Sequence, residues 1–444
     1  MKRSLTAFLS LLCVSAAAVP SPKEEIFRTD FDKALTDAKQ SKKPLIVDFF
    51  GIWCPPCNDL DEVVFSHPDF RKKAAKFIAV KLDADVESSW KAKDRYKIGG
   101  YPTVLFLKSD GEEIERIVGF RALRDFLAVM DRTAKPNALT LEKACKRNEP
   151  EQLLRCVKGR AERKENKEAI AAFAALEKKL KPGSFEFIEA ASAAADLEPN
   201  RDLKRQRLVT LMKEHPDFPS ALLWASNYLD TFEDTASEKT DAAVLRTVGD
   251  KFAAQLAHPR RGAVGLTDTD LYEMRAVVVS SVQPELTKHL WGDAAAALQK
   301  AATENGRELG RGFVLEQIGC LERAGRQEEA MGLAETYRAK YPSEFTFHLK
   351  VANLQWRLKK AALALEAAES AYAKSYGDNR LRVAMLLMEL YPANARPGDA
   401  SRVYEEVTKE IQPASALDVR THRYLKQLRD ARDRHVPAAG EKKS

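Results

Sequence analysis

Cys54 and Cys57 enclose Pro55 and Pro56, and this short run has the clearest capacity for chemistry in the chain. A thiol reacts as its thiolate, and a helix N-terminus stabilises that anion through its dipole and unpaired N–H groups. The apolar run from Leu45 to Phe50 ends at Gly51, and helical spacing begins after Cys54 with Leu60, Val63 and Val64. Cys54 is therefore predicted at a helix start and Cys57 one turn inside, where two sulfurs can bond with little backbone movement. Pro55 and Pro56 suit that position, because an N–H missing from the first turn costs little and proline presets φ. A Cys-X-X-Cys pair is also half of a zinc site. No second such pair and no paired histidines accompany it, so dithiol chemistry is favoured and no metal is expected. Thiolate attack on a disulfide needs no cofactor.

The segments that must hold this pair alternate in period. Phe27, Phe31, Ala34, Leu35 and Ala38 recur at helical spacing until Lys43-Pro44. Strands are predicted over Leu45–Phe50, Phe77–Leu82, Thr103–Leu107 and Glu113–Val118, the last two joined by the turn signal Asp110-Gly111. Helices are predicted over Cys57–Phe65, Ser88–Tyr96 and Leu123–Thr133. The order βαβαββα behind a leading helix implies an α/β domain, spanning 24–134, with a central mixed sheet flanked by helices.

Ala134-Lys135-Pro136-Asn137 reads as a boundary. Beyond it Ala, Leu, Glu, Lys and Arg dominate, and 138–432 is expected to be all-α. Gly325, Ala330, Ala334, Glu335 and Pro342 find counterparts 34 residues on at Lys359, Ala364, Ala368, Glu369 and Tyr376, with Gly377 next. A third unit fits at Ala400, Tyr404 and Val407 with a two-residue insertion. Thirty-four is the tetratricopeptide period, so a helical-repeat array is expected, with a generic bundle as the alternative. Cys145 and Cys156 fall on two short helices joined by Arg147-Asn148-Glu149-Pro150, and two readings stand: a structural bridge or two buried thiols. Cys320 aligns with Leu354 and reads as core filler. Residues 433–444 read as a disordered tail.

Lys2, Arg3, the apolar stretch Leu5–Ala18 and the small residues Ser15-Ala16-Ala17-Ala18 form an export-signal pattern over 1–18, with an uncleaved anchor as the alternative. The stretch, which includes Cys13, is shorter than a membrane span, and no later segment is apolar enough for one, so no stable membrane insertion is expected after cleavage. The net charge of +7 is spread among 72 basic and 65 acidic residues without a basic run or an aromatic-basic stripe, which argues against nucleic acid as a partner.

Taken together, Asp48-Phe49-Phe50-Gly51-Ile52-Trp53-Cys54-Pro55-Pro56-Cys57, Val80-Lys81-Leu82-Asp83, Gly100-Tyr101-Pro102-Thr103, Asp110-Gly111 and Gly119-Phe120 resemble the successive landmarks of the thioredoxin-like superfamily. The helix ahead of the first strand and the run Glu62–Pro68 are similar to the C-terminal domain of membrane thiol:disulfide interchange proteins and to related small exported thioredoxins. Gly100–Thr103 is similar instead to protein disulfide isomerase domains, so the direction of electron flow stays open. The resemblance implies a thiol–disulfide oxidoreductase of the bacterial periplasm. It would act on disulfide or dithiol protein substrates chosen by the array, with an unidentified donor or acceptor protein. It also implies roles: Cys54 attacks, Cys57 resolves, Asp48 accepts the Cys57 proton, and Lys81 pairs with Asp48. Trp53, Tyr101 and a cis Pro102 would meet substrate. Each has a plainer alternative. Asp48 would end a strand near solvent, Lys81 would be an edge charge, Trp53 would only pack, Tyr101 would be a surface aromatic, and His67 would serve a turn. At the level of the whole protein, the alternative is a redox-regulated binding scaffold in which the thioredoxin fold does not turn over.

Overall fold

A computed structural model describes residues 26–232, 240–304, 310–412 and 419–435. The expected leader, with Cys13, and all of the expected tail beyond His435 lie outside the described residues.

Five strands make one sheet in the order β1 (Phe27–Arg28), β3 (Ile78–Asp83), β2 (Leu45–Phe50), β4 (Thr103–Leu107), β5 (Glu113–Val118). The first three are mutually parallel, and β4 and β5 run antiparallel. Helix α1 (Phe31–Ser41) starts where Asp30 accepts the Lys33 N–H at 2.9 Å and ends at Lys42, in the left-handed region just ahead of Pro44. Helix α2 (Pro55–Asp59) runs on through a π turn at Leu60–Phe65. Then come α3 (Pro68–Ala74), which the spacing did not reveal, α4 (Glu87–Tyr96) and α5 (Leu123–Thr133). His67 caps α3 by accepting the Asp69 N–H on Nδ1 at 3.2 Å.

Side chains alternate across a strand, so β2 feeds two cores. Leu45, Val47 and Phe49 pack with Phe31, Leu35 and Tyr96 on the face covered by α1 and α4. Ile46 packs with Leu60, Val64, Phe70 and Phe126 on the face covered by α2, α3 and α5. By the same alternation Asp48 belongs to the second face, in register with Lys81 on β3.

The rest is helical. It comprises α6 (Leu141–Cys145), α7 (Pro150–Glu162), α8 (Asn166–Glu177), α9 (Phe185–Leu197), α10 (Arg201–Glu214), α11 (Ala221–Leu229), α12 (Ala242–Asp250) and α13 (Phe252–Ala257), followed by α14 (Asp268–Ser280) and α15 (Thr287–Glu304). The chain continues as α16 (Arg311–Arg323), α17 (Gln327–Lys340), α18 (Phe345–Arg357), α19 (Ala361–Lys374), α20 (Asp378–Ala393), α21 (Pro397–Glu410) and α22 (Val419–His435). The repeat is visible in the backbone. Helices α16/α17, α18/α19 and α20/α21 form successive hairpins, and each turns through one left-handed residue: Gly325, Lys359 and Ala395. The second spacing carries the two-residue insertion. Ala330, Ala334, Ala364, Ala368 and Ala400 are all buried where paired helices meet. The last helix runs through 433–435, which the sequence had assigned to the tail.

Among the described residues the array touches the sheet domain through α7, through the turn at Gly262 and Gly265 that lies against Arg121 and Arg124, and through α16 and the helices after it. Arg163, at the end of α7, reaches Glu113 on β5 at 2.7 Å, and Arg155 of α7 donates to the Ile114 carbonyl, so this edge strand is covered. Helix α16 and the residues around α20 and α22 meet the other end of the domain, at α2. Cys145 and Cys156 form a disulfide between α6 and α7, with Cα atoms 5.0 Å apart.

Candidate redox site

Cys54 is the N-cap of α2, in extended conformation, and Cys57 lies in the first turn. The two are joined as a disulfide with Cα atoms 5.3 Å apart. The carbonyl of Cys54 accepts the N–H groups of Cys57 and Asn58, each at 3.2 Å. Asn58 donates from its side chain to the Ile52 carbonyl at 3.0 Å, which ties the helix to the loop before it. Gly51 is required here, since a Cβ would lie 2.6 Å from the Trp53 indole nitrogen. Only 3% of Cys54 and 1% of Cys57 is exposed.

Asp48 is buried on the strand and one of its oxygens, Oδ1, has no hydrogen-bond partner. Burial pushes its pKa from 3.8 up to about 7; Lys81 pulls the other way and Asp61 adds to the rise. Lys81 Nζ stands 3.7 Å from Asp48 Oδ2, too far for a hydrogen bond. Its nearer partner is Asp61 on the π turn, and it also lies 4.4 Å from the centre of the Phe50 ring. The structure thus places Lys81 among Asp48, Asp61 and Phe50, whereas the sequence pointed to Asp48 alone.

Trp53 donates its indole N–H to Asp85 Oδ2 at 2.6 Å. Its ring meets Tyr101 edge to face at 5.9 Å. The Tyr101–Pro102 peptide is cis. Gly119 donates its N–H to the Pro102 carbonyl at 2.9 Å, and the Thr103 hydroxyl donates to Gly100 at 2.8 Å, so this turn is pinned from both sides.

Several groups at this end of the domain escaped the sequence reading. Asp59, two residues past Cys57, is buried against α16, and its Oδ1 has no hydrogen-bond partner. Glu62 accepts the Arg311 N–H at 2.9 Å. The first N–H of α16 therefore finds its acceptor on the continuation of α2. Contact is close enough that a Cβ on Gly312 would lie 2.4 Å from the Pro55 carbonyl oxygen. Burial raises the pKa of Asp59, with Glu62 and Asp270 adding to it, and Glu316 is pushed up to about 9 by burial and by Asp59, Glu273 and Asp270. Asp83 accepts from the Tyr376 hydroxyl at 2.5 Å, and Asp85 accepts from Asn379 at 2.7 Å and from Arg420 at 2.5 Å. The Asp83-x-Asp85 spacing after β3 was a usable signal for the acceptors, but nothing local marks donors 294 and 335 residues away. Cys320 is a buried free thiol against Glu273, and burial pushes its pKa up.

The domain family described as thioredoxin-like matches residues 31–134. A thioredoxin H-type protein of Oryza sativa subsp. indica is 38% identical over 95 residues, which cover 21% of this chain and 72% of that protein. The thiol:disulfide interchange protein DsbD of Ralstonia nicotianae is 29% identical over 149 residues, 30% of this chain but 24% of its own length. Among solved structures, a tetratricopeptide repeat protein from Parabacteroides merdae aligns with 63% of this chain and 98% of its own, at 12% identity and a TM-score of 0.41.

Proposed function

Because residues 31–134 make this chain a member of the thioredoxin-like family, we propose that it is an exported thiol–disulfide oxidoreductase whose helical array governs which protein disulfides reach Cys54. The observation that carries the chemistry is the Cys54–Cys57 pair at the start of α2, which follows β2, the strand whose buried Asp48 carboxyl is pushed up to about 7 by burial. In the reducing direction the Cys54 thiolate attacks one sulfur of a substrate disulfide. A mixed disulfide forms and the other substrate sulfur leaves as a thiolate. Asp48 then takes the Cys57 proton, and Cys57 attacks Cys54 Sγ. The second substrate thiolate departs, and two electrons have passed from the dithiol to the substrate. A dithiol protein donor restores the pair, and the reverse sequence oxidises a substrate dithiol.

Selection by the array is supported by the seat of α16 directly on α2: a substrate at Cys54 meets helices of the array as well as the Tyr101–Pro102 turn. Export is supported by the residues of 1–18, and among the described residues no helix is long and apolar enough to cross a membrane. The test is insulin reduction with dithiothreitol, together with iodoacetamide labelling of the reduced protein and trapping with Cys57→Ser. Turbidity above background, faster labelling of Cys54 than of Cys57, and mixed disulfides through Cys54 are expected. A protein that neither speeds insulin reduction nor traps partners is a binding scaffold instead.

A further inference from the structure

Trp53, the residue before Cys54, is held by groups from the far end of the chain. Its N–H goes to Asp85, and the side chain of Asp85 is fully buried. Arg420 of α22 donates Nη1 to Asp85 Oδ1 at 2.5 Å, and Asn379 of α20 donates to Oδ2 at 2.7 Å. The Arg420 guanidinium also lies 4.3 Å from the centre of the Trp53 ring, and that of Arg382, on α20, lies 5.3 Å away. Helix α20 gets this near because Gly377, in the left-handed region, passes the Asp85 carbonyl where a Cβ would lie 1.9 Å from the oxygen.

Trp53 needs only Asp85 to fix its indole N–H. What Arg420 adds is charge. A buried carboxylate hydrogen-bonded to the residue before Cys54 opposes a second anion in its vicinity, and a nearby cation favours one. Arg382 adds another positive charge on the same ring; its Nη1 is buried without a partner. Among the described residues, the other ionisable groups facing this corner include Asp83 and Tyr376, bonded to each other, the buried Asp378 on α20, which accepts the Thr421 hydroxyl and acts on Arg420, and Tyr424 on α22, beside Arg420. Around α2 the ionisable groups include Asp59 on α2 itself, Asp61 and Glu62 on its continuation, Asp48 and Lys81 on the sheet, Arg311 and Glu316 on α16, Asp270 on α14 and Lys340 on α17.

We propose that Arg420, seconded by Arg382, is a positioning residue for exchange at Cys54: the array neutralises Asp85 and supplies the positive field in which the Cys54 thiolate forms. The array is then part of the redox site electrostatically as well as a filter on its partners. The proposal rests on Cys54 being the attacking thiol.

The experiment is iodoacetamide labelling of the reduced full-length protein from about pH 4 to 9, with Cys54 and Cys57 read separately by peptide mass spectrometry. Parent, Arg420→Gln, Arg420→Lys and Arg382→Gln are compared. Arg420→Gln should move the Cys54 midpoint up by about one pH unit and slow its labelling at pH 6 roughly tenfold. Arg420→Lys should recover most of this, because it restores charge without the planar guanidinium, and Arg382→Gln should move the midpoint the same way. Should Arg420→Gln fail to fold, Arg382→Gln decides. Curves for Arg420→Gln and Arg382→Gln that superimpose on the parent overturn the proposal and leave Cys54 as the attacker. Faster labelling of Cys57 than of Cys54 in the parent removes the premise, and the proposal with it.

Discussion

Replacing Asp48 by Asn should make the protein more stable and less active, and the two effects should appear in the same pH range. The unfolded chain ionises this carboxyl near 3.8, while burial holds it to about 7 in the native protein, Lys81 opposing and Asp61 adding to the shift. Between those values the native state keeps a proton that the unfolded state has released. Stability from this group therefore falls as pH rises from about 4 to 7 and is level above, with a total of at most about 4 kcal/mol. Asn has the same shape and does not titrate. Parent and Asp48→Asn should match below about pH 4, and the variant should lead by up to about 4 kcal/mol above about pH 8. Hydrogen exchange of the Leu45–Phe50 amides in urea, across this pH range, reads the difference within the sheet domain. Turnover should move the other way. In the proposed mechanism the ionised carboxylate accepts the Cys57 proton above pH 7, and its loss should slow exchange about a hundredfold. At pH 5 the parent carboxyl is protonated, so the two rates should converge. A stability difference that does not change with pH, or a rate ratio that does not, would refute the reasoning.

Gly312→Ala should force α16 away from α2, because the new Cβ would lie 2.0 Å from Asp59 Oδ1 and 2.4 Å from the Pro55 carbonyl. A loss of about 1–3 kcal/mol in thermal unfolding is expected, with faster attack of Cys54 on a small disulfide, and an unchanged rate would show that α16 does not limit access. Cys145→Ser with Cys156→Ser opens a short loop, which should lower stability by about 3 kcal/mol in denaturant while insulin reduction persists; a loss of reduction equal to that of Cys57→Ser would place the bridge in the chemistry.

The close seat of α16 also bears on how the array selects. Stacked helical repeats in general present a long concave surface for partners. In the fold, helices α16, α20 and α22 spend part of their surface on Trp53, Asp59, Glu62, Asp83 and Asp85. On the proposed function, selection by such an arrangement would restrict approach to Cys54, so a Cys57→Ser trap should enrich partners whose disulfides lie on exposed, extended segments.

Local chemistry made much of the sheet domain readable. The central strands β2, β3 and β4 are short apolar runs, α1 and α5 carry 3.6-residue spacing, and proline, glycine and cysteine can be read at single positions, whereas Phe27, read with the leading helix, pairs in the two-residue strand β1. Those signals depend on residues a few places apart, and so does the repeat, whose turns recur at Gly325, Lys359 and Ala395. Helix α3 was missed because Pro68–Ala74 is brief and carries Arg71, Lys72 and Lys73 in its last turn, leaving too few apolar residues for a period. Asp48 was legible because a carboxylate inside an apolar run stands out. Lys81 was legible as its neighbour but not as the partner of Asp61, because that pairing depends on how the π turn after α2 folds back over the sheet. Asp85, Arg420, Asn379 and Gly312 carry no local mark. Surface-like arginines recur throughout the helices, and only the docking of α20 and α22 against Trp53 separates Arg420 from the rest. Side-chain type and spacing thus mark where a thiolate can form, whereas the charges gathered around Trp53 come from chain segments that only tertiary packing brings together.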